Sequence, residues 1–233
     1  MEVFALLTGK GGSSLKNKNL IKIKKKKILD YPCEAAKNVK AISQFYVSSE
    51  NIKILDAASK NGFKKIIRPK KYSQKNSQHI DVLRHSVDFF KKKKLFPEII
   101  VVLLANSPTI KSEWIKKSID ILQKNKKITS VVPVIKNNDF HPLRAKKVVN
   151  NYLRPHLYTK KNMSSNRQDL ISNYFLTHNF WTIRTSSIIK NNGYAPWKFM
   201  GKNCSPIVIN NSIDIHDETD LVLARYIVDK HYS

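Results

Sequence analysis

The sequence predicts an α/β fold in which a mostly parallel sheet carries helices on both faces, three layers in all. Three observations lead there. Short apolar runs alternate with segments of helical spacing as far as about residue 136, the order that parallel β–α–β units require. One run, EIIVVLL from Glu98 to Leu104, is continuously apolar and rich in β-branched residues, as a strand buried on both faces must be. A bare, cationic stretch follows the first run, where Gly9, Gly11 and Gly12 make up three of the six glycines in 233 residues. The turn after the first strand of an open parallel sheet lies at the carboxyl end of the strands, where such folds bind ligands.

Taken in order, Val3 to Leu7 reads as a buried strand. Glu34 to Ile42, alanines among polar residues, reads as a helix. QFYVSS (Gln44 to Ser49) is a second strand. In ENIKILDAASKNG, Ile52, Leu55, Ala58 and Ser59 fall at helical spacing and Gly62 supplies the stop. KKIIRP is a third strand closed by Pro69, and Ile80 to Phe90 is helical. After the central run come SEWIKKSIDILQKN, a helix with Ser112 as N-cap, and ITSVVPVI, a fifth strand. From Asn137 to Asn173 the alternation stops. That segment is polar and basic, holds Pro142 and Pro155, and is long for a connection. It reads as a projecting arm or small subdomain inside a single domain of residues 1–233. Order returns in YFLTHNFWTI and PIVINNSIDI, both strand-like, and in the helix ETDLVLARYIVDK.

The formal charge of +26 raises the question of a nucleic-acid partner. The lysines, however, are spread along the whole chain. A run such as Lys91 to Lys94 after an apolar helix reads as a solvated helix end that complements the macrodipole. No zinc-finger, basic-zipper or aromatic RNA-binding pattern occurs, so no specific nucleic acid is expected. Anionic small substrates are a second reason for the charge. No apolar run approaches the roughly 18–20 residues of a membrane span, and no membrane partner is expected. Cys33 and Cys204 are too few and too distant for a disulfide framework or a zinc site. The expectation is a cytoplasmic protein with reduced thiols.

The glycine stretch fits neither of two familiar phosphate loops. In both GxxxxGK[ST] and GxGxxG the glycine five places after Gly9 is replaced by Ser14. The loop is longer and more cationic than a dinucleotide turn and suits a triphosphate better. With the rest of the chain it acquires a pattern. Gly9-Lys10-Gly11-Gly12-Ser13-Ser14 and Lys18-Asn19 match a loop of the form A-R-G-G-S-K…K-N, and Val47-Ser48-Ser49-Glu50 matches V-S-T-D. Arg68-Pro69 matches R-P, and Leu103-Leu104-Ala105-Asn106-Ser107-Pro108 partly matches L-Q-P-T-S-P. Arg167-Gln168-Asp169 matches R-Q-D, and Ser212 to Asp220 matches S-I-D-I-D…E…D. In these six elements, in order and nearly end to end, the chain resembles the acylneuraminate cytidylyltransferases, which include the CMP-sialic acid synthetases.

The resemblance implies a nucleotidyltransferase fold, Rossmann-like and GT-A-like, whose arm serves dimerisation. It implies activation of a nonulosonic, sialic-acid-like sugar acid by CTP, or of an acid of the 3-deoxy-octulosonate type. The anomeric hydroxyl attacks the α-phosphate and pyrophosphate leaves. Such a reaction asks a protein mainly to hold, neutralise and align, with Mg²⁺ assisting. Lys10, Lys18 and Asp214 are then the catalytic candidates. Gly11, Gly12, Ser13, Asn19, Arg68, Gln78, His79, Asn106 and Ser107 would meet the nucleotide. Arg167, Gln168, His178 and Asn179 would meet the sugar acid, Arg167 as the fork for its carboxylate. Asp214 and Asp217 would hold the metal.

The chain also departs from that pattern. Lys10 stands for an arginine, Ser14 for a lysine, Leu104 for the glutamine expected to read cytosine, and His216 for the second metal aspartate. Since Mg²⁺ prefers oxygen ligands, either Asp217 takes over, or Asp214 acts with triphosphate and water, or the metal preference is altered. The competing class is a basic nucleic-acid-binding protein. His85, Trp114, Trp181 and Trp197 read as packing residues, and Glu218 and Asp220 as acids at a helix start.

Overall fold

A computed structural model describes residues 1–12, 15–159 and 164–231. They divide into two compact units, residues 1–133 with 177–233, and residues 134–176. The elements are β1 (Val3–Thr8), β2 (Lys22–Ile23), β3 (Lys26–Lys27), α1 (Asp30–Lys37), β4 (Gln44–Ser49), α2 (Ile52–Lys60), β5 (Lys64–Ile67), α3 (His79–Lys92), β6 (Ile99–Leu104), α4 (Ser112–Lys124), β7 (Ser130–Lys136), β8 (Lys146–Val149), β9 (Tyr152–Pro155), β10 (Tyr174–Leu176), β11 (Phe180–Arg184), α5 (Thr185–Lys190), β12 (Cys204–Val208) and α6 (Glu218–His231), with short 3₁₀ turns between.

In the first unit β5, β4, β1 and β6 run parallel, with Leu6 paired to both Tyr46 and Val102. All six residues of β6 are buried, which confirms the central strand. β11 then inserts antiparallel between β6 and β7, with Trp181 opposite Val102 and Thr182 opposite Val131. Its five residues are all buried, so the strand belongs in the sheet interior. A second apolar cluster joins Ile23, Ile28 and Tyr31 to Ile215, Leu221, Ala224 and Val228. It locks the β2–β3 hairpin and α1 to α6.

Several boundaries differ from the sequence reading. The first helix is Asp30–Lys37, not Glu34 to Ile42, because Pro32 is tolerated in a first turn. Ser112 opens α4 but Lys111 is its N-cap, without a side-chain bond. YFLTHNFWTI breaks into β10 and β11, and PIVINNSIDI is strand only to Val208. Lys91 to Lys94 is an exposed helix end, as read. Among the described residues no helix is long and apolar enough to cross a membrane.

The second unit contains more order than an arm of loops. The outer end of β7 pairs antiparallel with β10, Lys136 opposite Tyr174. β8 and β9 form a hairpin in which Val148 faces Leu153. Its turn residues Asn150 and Asn151 both take positive φ, 50° and 64°, the backbone that two-residue hairpin turns need and asparagine accepts.

Candidate active site

The carboxyl ends of the parallel strands meet at a cavity of about 440 Å³ in the first unit. The loop after β1 contributes Gly9, Lys10 and Gly12, and the chain beyond it Lys18 and Asn19. The segment between β5 and α3 contributes Arg68, Tyr72, Ser73, Gln74, Ser77, Gln78 and His79. Leu104 and Asn106 enter from the end of β6, and His178, Asp214 and His216 complete the wall.

Two faces of this cavity carry cations. Lys10 reaches across to donate to the Gln74 carbonyl at 2.9 Å, and Lys18 donates to the Ile215 carbonyl at 2.8 Å. Burial lowers the Lys18 pKa, against the attraction of Asp214 and Asp220. Arg68, 5% exposed, donates through Nη2 to the Gly9 carbonyl and to Glu50 Oε2 at 3.2 Å. Its Nε is buried with no hydrogen-bond partner among the described residues. Asn19 holds the loop from below by donating to the Lys10 carbonyl at 3.1 Å.

Gly11 has a different job from the one expected. Its N–H donates to Glu50 Oε1 at 2.7 Å, and a Cβ there would lie 2.4 Å from Asn51 Nδ2. Glycine is required for packing, and the amide is engaged by protein. Gly12 faces open space and lines the cavity. Ser13 lies outside the described residues, as does Ser14.

Asp214 is positioned by its neighbours. Ile215 is fully buried in the second apolar cluster and Ile213 packs against it. The backbone between them is strapped to the loop after β6: Ile215 N donates to Asn106 O at 2.9 Å, Asn106 Nδ2 to Ile215 O at 3.0 Å, and Ile213 N to Thr109 Oγ1 at 2.9 Å. The Asp214 carboxylate therefore turns to the cavity, with His216 Nε2 3.2 Å from Oδ2. His216 Nδ1 also lies 3.5 Å from Asp220 Oδ2.

Asp217, expected at the metal, does not line the cavity. Its Oδ1 accepts the Asp220 N–H at 3.0 Å while Asp220 Oδ2 accepts the His216 N–H at 2.8 Å. The Asp217 N–H also reaches Asp220 Oδ2, at 3.4 Å, so the two aspartates bond reciprocally at the start of α6 and Asp217 joins Asp220 in the structural role. Among the described residues no three His, Cys, Asp or Glu side chains cluster to hold an ion.

The sugar-side expectations divide. His178 lines the cavity. His79 and His178 both pack edge-on against Trp181, with centroids 5.0 and 5.8 Å away, so the fully buried indole supports both rings. Desolvation, with His178 and Arg68 adding, lowers the His79 pKa to about 4, although the ring borders the open cavity. Asn179 is fully buried. Its Oδ1 accepts from Thr177 Oγ1 and Phe180 N, and its Nδ2 donates to Ser212 Oγ at 2.7 Å. Both polar atoms of the side chain are thus engaged inside the fold, and Asn179 is absent from the cavity lining. Ser107 is likewise buried, its hydroxyl donating to the His178 carbonyl. Arg167 and Gln168 belong to the second unit. There they line a depression in which Arg167 pairs with Asp139 at 3.1 Å.

A protein-family model for cytidylyltransferases matches residues 10–191. The chain belongs to the cytidylyltransferase family. Among its relatives is a Helicobacter pylori protein named pseudaminic acid cytidylyltransferase and UDP-2,4-diacetamido-2,4,6-trideoxy-β-L-altropyranose hydrolase. It is 25% identical over 127 residues, 54% of this chain and 24% of the relative. The chain thus spans about a quarter of that relative's length. The fold matches a CMP:2-keto-3-deoxy-manno-octonic acid synthetase solved with CTP, with a TM-score of 0.72, 14% identity and coverage of 99% and 100% of the two chains. It also matches a 4-diphosphocytidyl-2C-methyl-D-erythritol synthase from Anaerococcus prevotii, with a TM-score of 0.65, 16% identity and coverage of 98% and 96%.

For a member of this family, sequence reasoning missed Tyr72, Ser73, Gln74 and Ser77 in the wall, because the stretch KKYSQKNS looks like an ordinary polar loop. Its one signal was position, directly after the Arg68-Pro69 strand end. Glu50 stands out in the sequence only as the last residue of Val47-Ser48-Ser49-Glu50.

Proposed function

We propose that this cytidylyltransferase activates a nonulosonic, sialic-acid-like sugar acid with CTP, releasing pyrophosphate. The observation that carries the reading is the convergence of Lys10, Lys18 and Arg68 with the Asp214 carboxylate on one cavity at the carboxyl edge of the sheet. A triphosphate needs cations around it and a carboxylate to share a divalent ion. Asp214 is an oxygen donor facing the cavity, and it fits Mg²⁺ held by one carboxylate together with substrate phosphates and water. The ion would supply neutralisation of phosphate charge. Lys10 and Lys18 bind and hold the phosphates, giving up their carbonyl contacts to do so. Asn19 fixes the loop that carries Lys10, and Asn106 fixes the segment that carries Asp214. His178 stands at the sugar side of the wall. The acid's carboxylate calls for a cation beyond the phosphate site, and the basic residues of 134–176 supply candidates, Arg167, Arg144 and Arg154 among them. We further propose that this unit contacts a second copy of the chain.

The test is pyrophosphate release. The protein is incubated with Mg²⁺, each nucleoside triphosphate and a panel of eight- and nine-carbon 2-keto sugar acids. Release with CTP and a nine-carbon acid is expected. Release with an eight-carbon acid only would move the substrate to the octulosonate type, and no release with any pair would remove the reading.

A further inference from the structure

We propose that Glu50 is the positioning residue of the glycine-rich loop: its carboxylate sets the gap between that loop and the segment after β5, and so the width of the phosphate end of the cavity. The inference rests on the nucleotide reading above for its functional consequence, and on geometry for the rest. Glu50 follows the last residue of β4 and precedes α2, whose first turn is capped by Asn51 Oδ1 accepting the Lys53 N–H at 2.9 Å. It therefore stands on a stiff junction. From there Oε1 takes the Gly11 N–H at 2.7 Å, and Oε2 takes the Ser73 hydroxyl at 2.7 Å and Arg68 Nη2 at 3.2 Å. The same Nη2 holds the Gly9 carbonyl. One carboxylate thus holds Gly11 on one wall and Ser73 on the other, with Gly9 held through Arg68, and Lys10 between the glycines bridges to Gln74 at 2.9 Å.

A carboxylate this close to a site for anions would weaken binding if charge were its purpose. It makes sense as a strut whose own charge is consumed by its donors. Burial alone would raise the Glu50 carboxyl, but the Gly11 N–H, the Ser73 hydroxyl and the Arg68 charge outweigh it and hold the group below its usual value. Glutamine would keep an acceptor for Gly11, but its amide N–H₂ would face Arg68 donor against donor, while the Ser73 hydroxyl could rotate to accept from it. Aspartate, one methylene shorter, could not span both walls.

The experiment compares the unaltered protein with Glu50→Ala, Glu50→Gln and Glu50→Asp, all below their melting temperatures. Amide hydrogen exchange of residues 5–12 is read without ligand, CTP affinity by calorimetry, and KM for each substrate by turnover. Glu50→Ala is expected to speed exchange in the loop but not in β6. It should weaken CTP roughly 10- to 100-fold, the size of effect that small misplacements produce, and leave the KM for the sugar acid unchanged. Glu50→Gln should recover part of the affinity. Loop exchange and CTP affinity like the unaltered protein in all three variants would overturn the proposal, as would faster exchange throughout the chain with no selective effect on CTP. If the unaltered protein binds no CTP while Glu50→Ala still loosens the loop alone, the nucleotide reading falls and the positioning role stands.

Discussion

Asp214 leaves the backbone between Ile213 and the fully buried Ile215, and the straps to Asn106 and Thr109 remove the freedom to turn elsewhere. Its side chain stands outside that packing and meets His216 at the cavity, so Asp214→Asn should fold with little change in melting temperature while turnover falls by roughly 10²–10³, the loss typical of a single group that stabilises developing charge. A variant that turns over at the original rate would remove Asp214 from the chemistry. His79 offers a pH test. With its pKa lowered from 6.5 to about 4, the ring is neutral at physiological pH, and the unfolded chain binds the proton first on acidification. Stability from this residue is then complete above about 6.5 and is lost as pH falls toward 4. Histidine NMR should show the His79 ring shifts flat between pH 8 and 5.5, and a midpoint near 6.5 would contradict that environment. The residue scale is also where sequence reading was weakest. Asn179 and Ser107 are polar residues at strand ends, and such residues look the same in sequence whether they meet a ligand or another strand. Only the bonds to Ser212 and the His178 carbonyl distinguish the two.

The elements were more legible, because burial leaves a period in the sequence. β1, β4, β5 and β6 are visible as apolar runs between helices of the right spacing, and their parallel pairing follows from that alternation. What periodicity cannot carry is neighbour order. β11 reads as a strand in isolation, yet nothing in FWTIR says that it will separate β6 from β7. Its end does carry a reason for the placement. Arg184, 8% exposed, donates to Ile128 O at 2.8 Å, to Leu122 O at 2.5 Å and to Glu98 at 2.8 Å. It satisfies carbonyls that the C-terminus of α4 leaves open and places a cation at the negative end of the helix dipole. Arg184→Met keeps the length and removes these bonds. It should cost on the order of 3 kcal/mol, the worth of one or two charged hydrogen bonds, read as a lower urea midpoint with an unchanged slope. An unchanged midpoint would mean that β11 is held by its apolar face alone.

At the scale of the whole molecule, a charge of +26 coexists with a cavity that uses a handful of its cations. Lysines scattered over many elements give weak binding to DNA that falls steeply with salt, and tight binding of a defined site at physiological salt would favour the nucleic-acid class instead. The apolar side chains of residues 134–176 pose a sharper question. Val148 is 70% exposed, Leu153 68%, Tyr152 63% and Tyr158 75%, and an isolated two-stranded hairpin is marginal in water. Exposed apolar groups of this kind concentrate where another protein packs. A second copy of the chain is the occupant expected, with Arg144 or Arg154 carried toward the copy's sugar site. Light scattering at micromolar concentration should then give twice the chain mass of 26.9 kDa. Val148→Asp with Leu153→Asp should give the single mass, and turnover should be lost with it, because the cation from the neighbour is lost. An active monomer, or full activity after removal of residues 143–160, would leave the hairpin without a role in the reaction and assign its apolar face to some other contact.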